Sequence, residues 1–171
     1  GKLYGQWMCE GAVFVYDFER FHAADILPMF AKYHITTFCA PPTMYRMLIK
    51  EDLSKYDLSS IKHATIAGEA LNPEVFKQFK KATGLSLMEG FGQTETTLTV
   101  ANLLGMTPKP GSMGKPVPPY DIDIINSDGE SCDIGESGEI VIKLNENTPC
   151  GLFKGYYLNP EKTEEVLHDG I

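Results

Sequence analysis

Short apolar runs alternate with longer amphipathic stretches along the first hundred residues of the chain. Four runs have the length and composition of buried strands, at residues 12–16, 35–40, 61–67 and 85–88. Apolar residues recur at helical spacing in three stretches, over 23–33, after Pro41-Pro42 and over 72–84. Strands that alternate with helices predict an α/β fold, with a parallel sheet of βαβ units and flanking helices.

The ends of the third helix are marked most clearly. Asn72 is expected to cap its N-terminus, Pro73 to occupy the first helical position and Gly84 to end it. Thr43 is the expected cap of the second helix. Pro28 falls in the first helix, where we expect it near the first turn or at a kink.

The pattern changes in the last third of the chain. Two short apolar segments, 121–125 and 138–143, are separated by hairpin-type turn residues and predict antiparallel β structure. A short helix is expected over 161–168. We therefore predict an α/β subdomain over residues 1–106, carrying part of a ligand site, and a smaller β-rich subdomain over residues 107–171.

Composition and charge narrow the function classes. The 171 residues are 43% hydrophobic and 22% charged, and a net charge of -8 argues against a nucleic-acid surface. No apolar run approaches the ~18 residues that span a bilayer, and the N-terminus has no signal-peptide pattern. The four cysteines form no zinc-type cluster, which predicts free thiols in a reducing cytosol. The expected location is cytoplasmic.

Ligand-type side chains concentrate in residues 88–97, directly after the fourth predicted strand. Two glycines flank Phe91, so the backbone is expected to take strained angles and approach a ligand, while the ring offers a face to a base. Thr94 supplies a hydroxyl, and Glu95 supplies the hard oxygen ligand that Mg²⁺ prefers. The alternative is a strand, a glycine turn and a helix cap, with Glu95 as a first-turn acid.

A second glycine segment, Gly68-Glu69-Ala70, follows the third predicted strand. Open α/β sheets bind ligands at the carboxyl ends of their strands, so this segment and residues 88–97 are expected to share one site. A plain strand-to-helix turn is the alternative.

Phe91-Gly92-Gln93-Thr94-Glu95 resembles the aromatic-Gly-x-Thr-Glu signature of the adenylate-forming enzymes, which include acyl-CoA synthetases, luciferases and peptide-synthetase adenylation domains. Further likenesses to acyl-CoA synthetases occur in the same order at 111–116, 135–140 and 151–163, which we interpret as architecture. The resemblance covers essentially the whole chain and is closest to the acetyl-, propionyl- and medium-chain branch.

The resemblance implies a ligase that converts a carboxylic acid and ATP into an acyl-adenylate, and then transfers the acyl group to coenzyme A. In catalysis it implies Thr94 at the α-phosphate and Glu95 as a Mg²⁺ ligand. It implies that Phe91 stacks on adenine, and that Gly92 and Gln93 border the acyl group. The full set implied for nucleotide and acyl binding is Gly68, Glu69, Ala70, Glu89, Gly90, Phe91, Gly92, Gln93 and Thr94.

Gly92 also bears on the identity of the acid. A tryptophan fills this place in acetate-specific members of the family and shortens the acyl pocket. A glycine therefore implies a longer or branched acid, and we expect a medium-chain or aromatic carboxylate.

Several family elements have no counterpart in the 171 residues: the phosphate loop, the ribose-binding aspartate and the C-terminal domain with its catalytic lysine. The expectation is an internal fragment of the large N-terminal domain, inactive alone, with a homo-oligomer formed through surfaces that truncation exposes. Two alternatives stay open, an adenylation domain that loads a carrier protein and a non-catalytic nucleotide-binding module. Tyr156 and Tyr157 are expected in the core rather than at a ligand.

Overall fold

The computed structural model describes residues 3–144, 148–168 and 170–171. The helices in these ranges are α1 (Tyr4–Met8), α2 (Ala23–Lys32), α3 (Pro42–Leu48), α4 (Pro73–Thr83) and α5 (Pro160–Val166), with a 3₁₀ helix at Leu53–Lys55. The strands are β1 (Thr37–Ala40), β2 (His63–Ile66), β3 (Leu87–Gln93), β4 (Thr97–Ala101), β5 (Lys115–Pro116), β6 (Ile122–Ile125) and β7 (Glu139–Ile142).

The first three strands run parallel, as the alternation of strands and helices predicted. In their register Ala40 pairs with Ile66, and Ile66 pairs with Glu89. The strand order is β1-β2-β3-β4-β5, and β6 and β7 form a separate antiparallel pair. The predicted fold class is therefore confirmed: an α/β chain with a mostly parallel sheet, followed by a smaller antiparallel sheet.

The chain divides into two compact units. Unit 1 comprises Gly1–Phe91 and Val100–Lys115, and unit 2 comprises Gly92–Thr99 and Pro116–Ile171. The subdomain division at residues 106 and 107 stays a prediction. In the compact units, a short segment from the middle of the chain groups with the C-terminal part.

The core of unit 1 lies where α2, α3 and α4 pack on the parallel strands. Phe30, Phe38, Tyr45 and Phe79 meet edge to face, with ring centroids 5.0, 5.5 and 5.1 Å apart in succession. Tyr45 is fully buried, and its hydroxyl donates to the carbonyl oxygens of Phe38 and Thr65 at 3.3 and 3.1 Å. Burial raises the pKa of this phenol above its ordinary value, so it stays a neutral donor.

Helix α4 has the predicted ends. The Asn72 side chain accepts a hydrogen bond from the Glu74 N–H at 2.8 Å, and Pro73 occupies the first turn. Gly84 has φ +76°, the left-handed conformation that glycine adopts most easily. The buried, apolar face of α4 consists of Val75, Phe76 and Phe79.

Two local predictions are wrong. Residues 12–16 form no strand, because no neighbouring strand pairs with them in the described part of the chain, and Val15 is 80% exposed. Thr43 does not cap α3: the N-cap is Pro41, and Thr43 lies inside the helix. Helix α2 continues through Pro28.

In unit 2, β6 and β7 form the predicted antiparallel pair. The turn after β6 is closed by Asn126, whose side chain accepts the N–H groups of Asp128 and Glu130. Asp123 pairs with Lys143 at 2.5 Å and accepts the Ser131 hydroxyl at 2.6 Å. The Lys143 ammonium, with the Ser131 hydroxyl, lowers the pKa of Asp123 to about 2.

Cys9, Cys39, Cys132 and Cys150 are free thiols. Over the ranges that the structure describes, no helix is long and apolar enough to cross a membrane.

Candidate functional site

Gly68-Glu69-Ala70 and the first part of the second predicted segment, as far as Phe91, lie at the same edge of the parallel sheet in unit 1. Ile66 pairs with Glu89, so Gly68-Glu69-Ala70 leaves β2 at the level where β3 reaches Phe91. Gly68 has φ +100°, and a Cβ there would meet no atom within 4 Å, so glycine is needed for the backbone angle rather than for room. All three residues of the segment are exposed.

Glu69 is held by helix α3, a contact that sequence reasoning missed. The Thr43 hydroxyl donates to both Glu69 carboxylate oxygens at 3.2 and 3.3 Å. Arg46 Nη2 lies 3.5 Å from Glu69 Oε2 and donates to Thr43 Oγ1 at 2.8 Å. The signal in the sequence was the position of Pro-Pro-Thr directly after β1, at the same carboxyl edge as Gly68.

Glu89 faces the interior of unit 1 rather than solvent. The residue is 6% exposed, and its carboxylate accepts the Leu71 N–H at 3.1 Å. Its backbone carbonyl accepts both the N–H and the side-chain amide of Asn102, at 2.9 and 3.1 Å. The Glu89 side chain therefore joins β3 to Leu71, directly after the Gly68-Glu69-Ala70 segment. The contact of Glu89 with a ligand stays a prediction.

The segment 90–93 is not a glycine loop. β3 continues to Gln93, and neither Gly90 nor Gly92 has a positive φ, so the expected strained backbone angles are absent at both positions. In unit 2 a Cβ on Gly92 would collide with the carbonyl oxygen of Thr97. Glycine is required at position 92 because two backbone segments approach each other closely.

Residues 94–96 form a tight turn between β3 and β4, not a helix cap. The Gln93 N–H donates to Thr96 Oγ1 at 3.0 Å, and the Thr96 N–H donates to the Gln93 carbonyl at 3.3 Å. Thr97 has φ +60°, which is rare for a β-branched residue. Gln93 and Thr94 are exposed and Glu95 is half-buried, so the turn presents polar groups outward.

Glu95 has two partners in the C-terminal part of unit 2. Its side-chain Oε1 accepts the Tyr156 hydroxyl at 3.0 Å, and its backbone carbonyl accepts the Phe153 N–H at 2.7 Å. The hydrogen bond to the Glu95 carboxylate raises the pKa of the Tyr156 phenol. The prediction that both tyrosines are core residues is wrong: Tyr156 is half-buried with its hydroxyl on Glu95, and Tyr157 is 91% exposed.

The Glu95 carboxylate has the oxygen ligands that fit a magnesium ion bound together with a phosphate group. A carboxylate accepts at about four lone-pair positions, so one bond from Tyr156 leaves capacity on Glu95. Mg²⁺ is usually held by one or two carboxylates, with phosphate oxygens and water completing its shell. No group of three or more His, Cys, Asp or Glu side chains able to hold a metal occurs across the described ranges.

The fold defines a general class of protein, and similarity to known sequences defines the family. In unit 1, a parallel sheet with a glycine segment after β2 is typical of α/β proteins that bind ligands at the carboxyl ends of their strands. The sequence profile described as "AMP-binding enzyme" matches residues 2–157. The chain belongs to the AMP-binding enzyme family.

The chain is similar to named members of that family. It is 44% identical over 166 residues to the mitochondrial acyl-coenzyme A synthetase ACSM3 of Mus musculus, and 44% identical over 167 residues to the mitochondrial acyl-coenzyme A synthetase ACSM4 of Homo sapiens. The alignments cover 97% and 98% of this chain but 29% of each relative. The chain therefore spans less than a third of the length of these curated relatives.

Solved structures of ligases share the fold. The anthranilate CoA ligase AuaEII in complex with anthranoyl-AMP superposes with a TM-score of 0.85 at 27% identity, over 95% of this chain and 31% of that one. The benzoate CoA ligase from Burkholderia xenovorans LB400 gives 0.72 at 28% identity, over 86% and 29%.

The relatives correct one expectation from the sequence. The matched acyl-coenzyme A synthetases are named as mitochondrial proteins, which contradicts the expected cytoplasmic location.

Proposed function

We propose that this chain supplies part of the adenylate-forming site of a longer AMP-forming acyl-CoA synthetase. The observation that carries the proposal is the position of Phe91, the first residue of the Phe-Gly-Gln-Thr-Glu motif, which lies in β3 at the sheet edge that Gly68-Glu69-Ala70 also occupies in unit 1. The names of the family and of the acyl-coenzyme A synthetase relatives support it. The same relatives support a mitochondrial location.

In the proposed reaction a carboxylate oxygen of the acid attacks the α-phosphorus of ATP, and pyrophosphate leaves. The sulfur of coenzyme A then attacks the carbonyl carbon of the acyl-adenylate, loses its proton and releases AMP. Phe91 stacks on adenine, and Gly68 with its two neighbours lines the base. Thr94 donates its hydroxyl to the α-phosphate, as an exposed turn residue is free to do.

Glu95 is the proposed ligand for Mg²⁺ beside the phosphates. When bound, the metal supplies charge neutralisation and a template for the displacement. The chain's own part is to hold the Glu95 carboxylate in a half-buried position, with one oxygen on Tyr156. Glu89 positions the Gly68-Glu69-Ala70 segment by accepting the N–H of Leu71, the residue that follows it.

We propose a medium-chain or aromatic acid as substrate. The two solved neighbours above are named for the aromatic acids anthranilate and benzoate, which supports an aromatic substrate. The close approach of the Thr97 carbonyl requires a glycine at position 92, so the missing side chain does not by itself indicate a long acyl pocket. The proposed homo-oligomer is checked by sedimentation of the 171-residue chain.

The test is a panel of carboxylic acids with the full-length protein, measuring pyrophosphate release with and without coenzyme A. Acid-dependent pyrophosphate release together with thioester formation on coenzyme A is the expected result. Adenylate formation without transfer to coenzyme A would favour an adenylation domain that loads a carrier protein. Absence of pyrophosphate release with every acid would favour a non-catalytic nucleotide-binding module.

A further inference from the structure

The Glu95 carboxylate is held by a segment of unit 2 that lies far from it in sequence. The Tyr156 hydroxyl donates to Glu95 Oε1 at 3.0 Å across a separation of 61 residues. Three residues earlier, the Phe153 N–H donates to the Glu95 backbone carbonyl at 2.7 Å. One segment therefore contacts both the main chain and the side chain of the same acid.

Tyr156 is itself fixed from several directions. Its N–H donates to Thr163 Oγ1 at 2.9 Å, and Thr163 in turn donates to the Asn159 carbonyl at 2.9 Å. Its ring meets Phe153 edge to face at 4.9 Å, and Lys162 Nζ lies 5.0 Å from the ring centroid. The phenol is therefore presented to Glu95 in a defined direction rather than by a mobile side chain.

The adjacent glycine serves the same arrangement. Gly155 has φ +134°, and a Cβ there would lie 2.9 Å from Thr163 Cγ2. Glycine lets the segment close onto α5 so that Thr163 can accept the Tyr156 N–H. The contacts form a continuous path from α5 through Tyr156 to Glu95.

We propose that Tyr156 is a positioning residue for Glu95, and that it sets the affinity of the site for a divalent cation bound together with the phosphates of ATP. This rests on the proposed role of Glu95 as the metal ligand. A hydrogen bond to one carboxylate oxygen fixes the carboxylate plane and so selects which lone pairs face the cation. Partners that orient metal ligands in this way typically change metal affinity by about 10- to 100-fold when they are removed.

The test uses the full-length protein and Mn²⁺ as the probe, titrated by electron paramagnetic resonance in the presence of a non-hydrolysable ATP analogue. Tyr156→Phe removes the hydroxyl and keeps the ring, so the contacts with Phe153 and Lys162 remain. We expect about tenfold weaker Mn²⁺ binding and an unchanged melting temperature. Tyr157→Phe is the matched control, because Tyr157 is 91% exposed, and it is expected to bind Mn²⁺ normally.

Glu95→Gln and the double variant separate the two proposals. If Tyr156 acts through Glu95, the double variant binds Mn²⁺ no more weakly than Glu95→Gln alone. Losses that multiply in the double variant would overturn the positioning role, as would normal binding by Tyr156→Phe beside weak binding by Glu95→Gln. Normal binding by Glu95→Gln would remove the metal role of Glu95 itself, and the positioning role with it.

Discussion

The Glu89 carboxylate accepts a hydrogen bond from the Leu71 N–H at 3.1 Å, inside unit 1. The bond joins β3 to the residue that follows the Gly68-Glu69-Ala70 segment. The Glu89 carboxylate, which the sequence suggested as a ligand contact, therefore has a partner within the protein. We expect this hydrogen bond to contribute to stability and to the placement of the Gly68-Glu69-Ala70 segment.

Two replacements of Glu89 distinguish loss of the hydrogen-bond acceptor for Leu71 from loss of the negative charge. Glu89→Leu leaves the Leu71 N–H without its partner in a buried place, which costs about 1–3 kcal/mol. Glu89→Gln is expected to cost less, because its amide oxygen still accepts. Urea unfolding of the two variants measures the difference, and equal losses would contradict the role of the hydrogen bond.

Gly92→Ala is expected to disturb the turn that carries Thr94 and Glu95. The added methyl group collides with the Thr97 carbonyl, and overpacking of this kind costs about 1–3 kcal/mol. Both the melting temperature of the chain and adenylate formation by the full-length protein should fall. Gly5→Ala is the control, since a Cβ there meets nothing within 4 Å. A Gly92→Ala protein as stable and active as the parent would contradict the close approach.

The side-chain cap of α4 is expected to contribute measurably to the free energy of unfolding. Asn72→Ala removes the side-chain acceptor of the Glu74 N–H and is expected to cost about 1 kcal/mol in the free energy of unfolding. Lys77→Ala, on the exposed face of the same helix, is the control and should change the stability little. Equal stability of the two variants would mean that the cap contributes nothing.

The pairing of Asp123 with Lys143 predicts a dependence of stability on pH. The folded pKa of Asp123, about 2, lies below its ordinary value of 3.8, so the pair stabilises unit 2 above about pH 4. This contribution is lost as the pH falls through the folded pKa. The stability difference between the parent and Asp123→Asn should therefore be largest above pH 4 and close near pH 2.

Urea unfolding at several pH values measures this difference, with Asp128→Asn as the control. Asp128 lies in the turn after β6, and no ion pair involves it in the described structure. A constant gap between the parent and Asp123→Asn from pH 6 to pH 2 would contradict the assignment.

The parallel sheet and α4 could be predicted because their signals are local. Asn72, Pro73 and Gly84 mark the helix within twelve residues of sequence, and the apolar runs of β1 and β2 lie between such helices. The same reasoning failed at residues 12–16, since an apolar run becomes a strand only when another strand pairs with it.

The candidate site was predictable in its residues but not in its contacts. The residue types of the motif around Phe91 indicated its candidate ligands. The sequence did not show that β3 continues through the motif, or that Gly92 is required by a close backbone approach rather than by a strained angle. The hydrogen bond between Tyr156 and Glu95 joins residues 61 positions apart. Periodicity and capping rules describe neighbours in sequence, so they contain no information on such a pair.

The proposed adenylate site is tested most directly by calorimetric titration of the 171-residue chain and of the full-length protein with a non-hydrolysable acyl-adenylate analogue. We expect weak binding by the chain and tight binding by the full-length protein. Phe91→Ala should weaken binding about tenfold or more, because base stacking contributes about 1–3 kcal/mol. Tyr157→Ala, at a 91% exposed position, should bind as the parent does. Equal affinity for Phe91→Ala and the parent, or no binding by the full-length protein, would contradict the adenylate site.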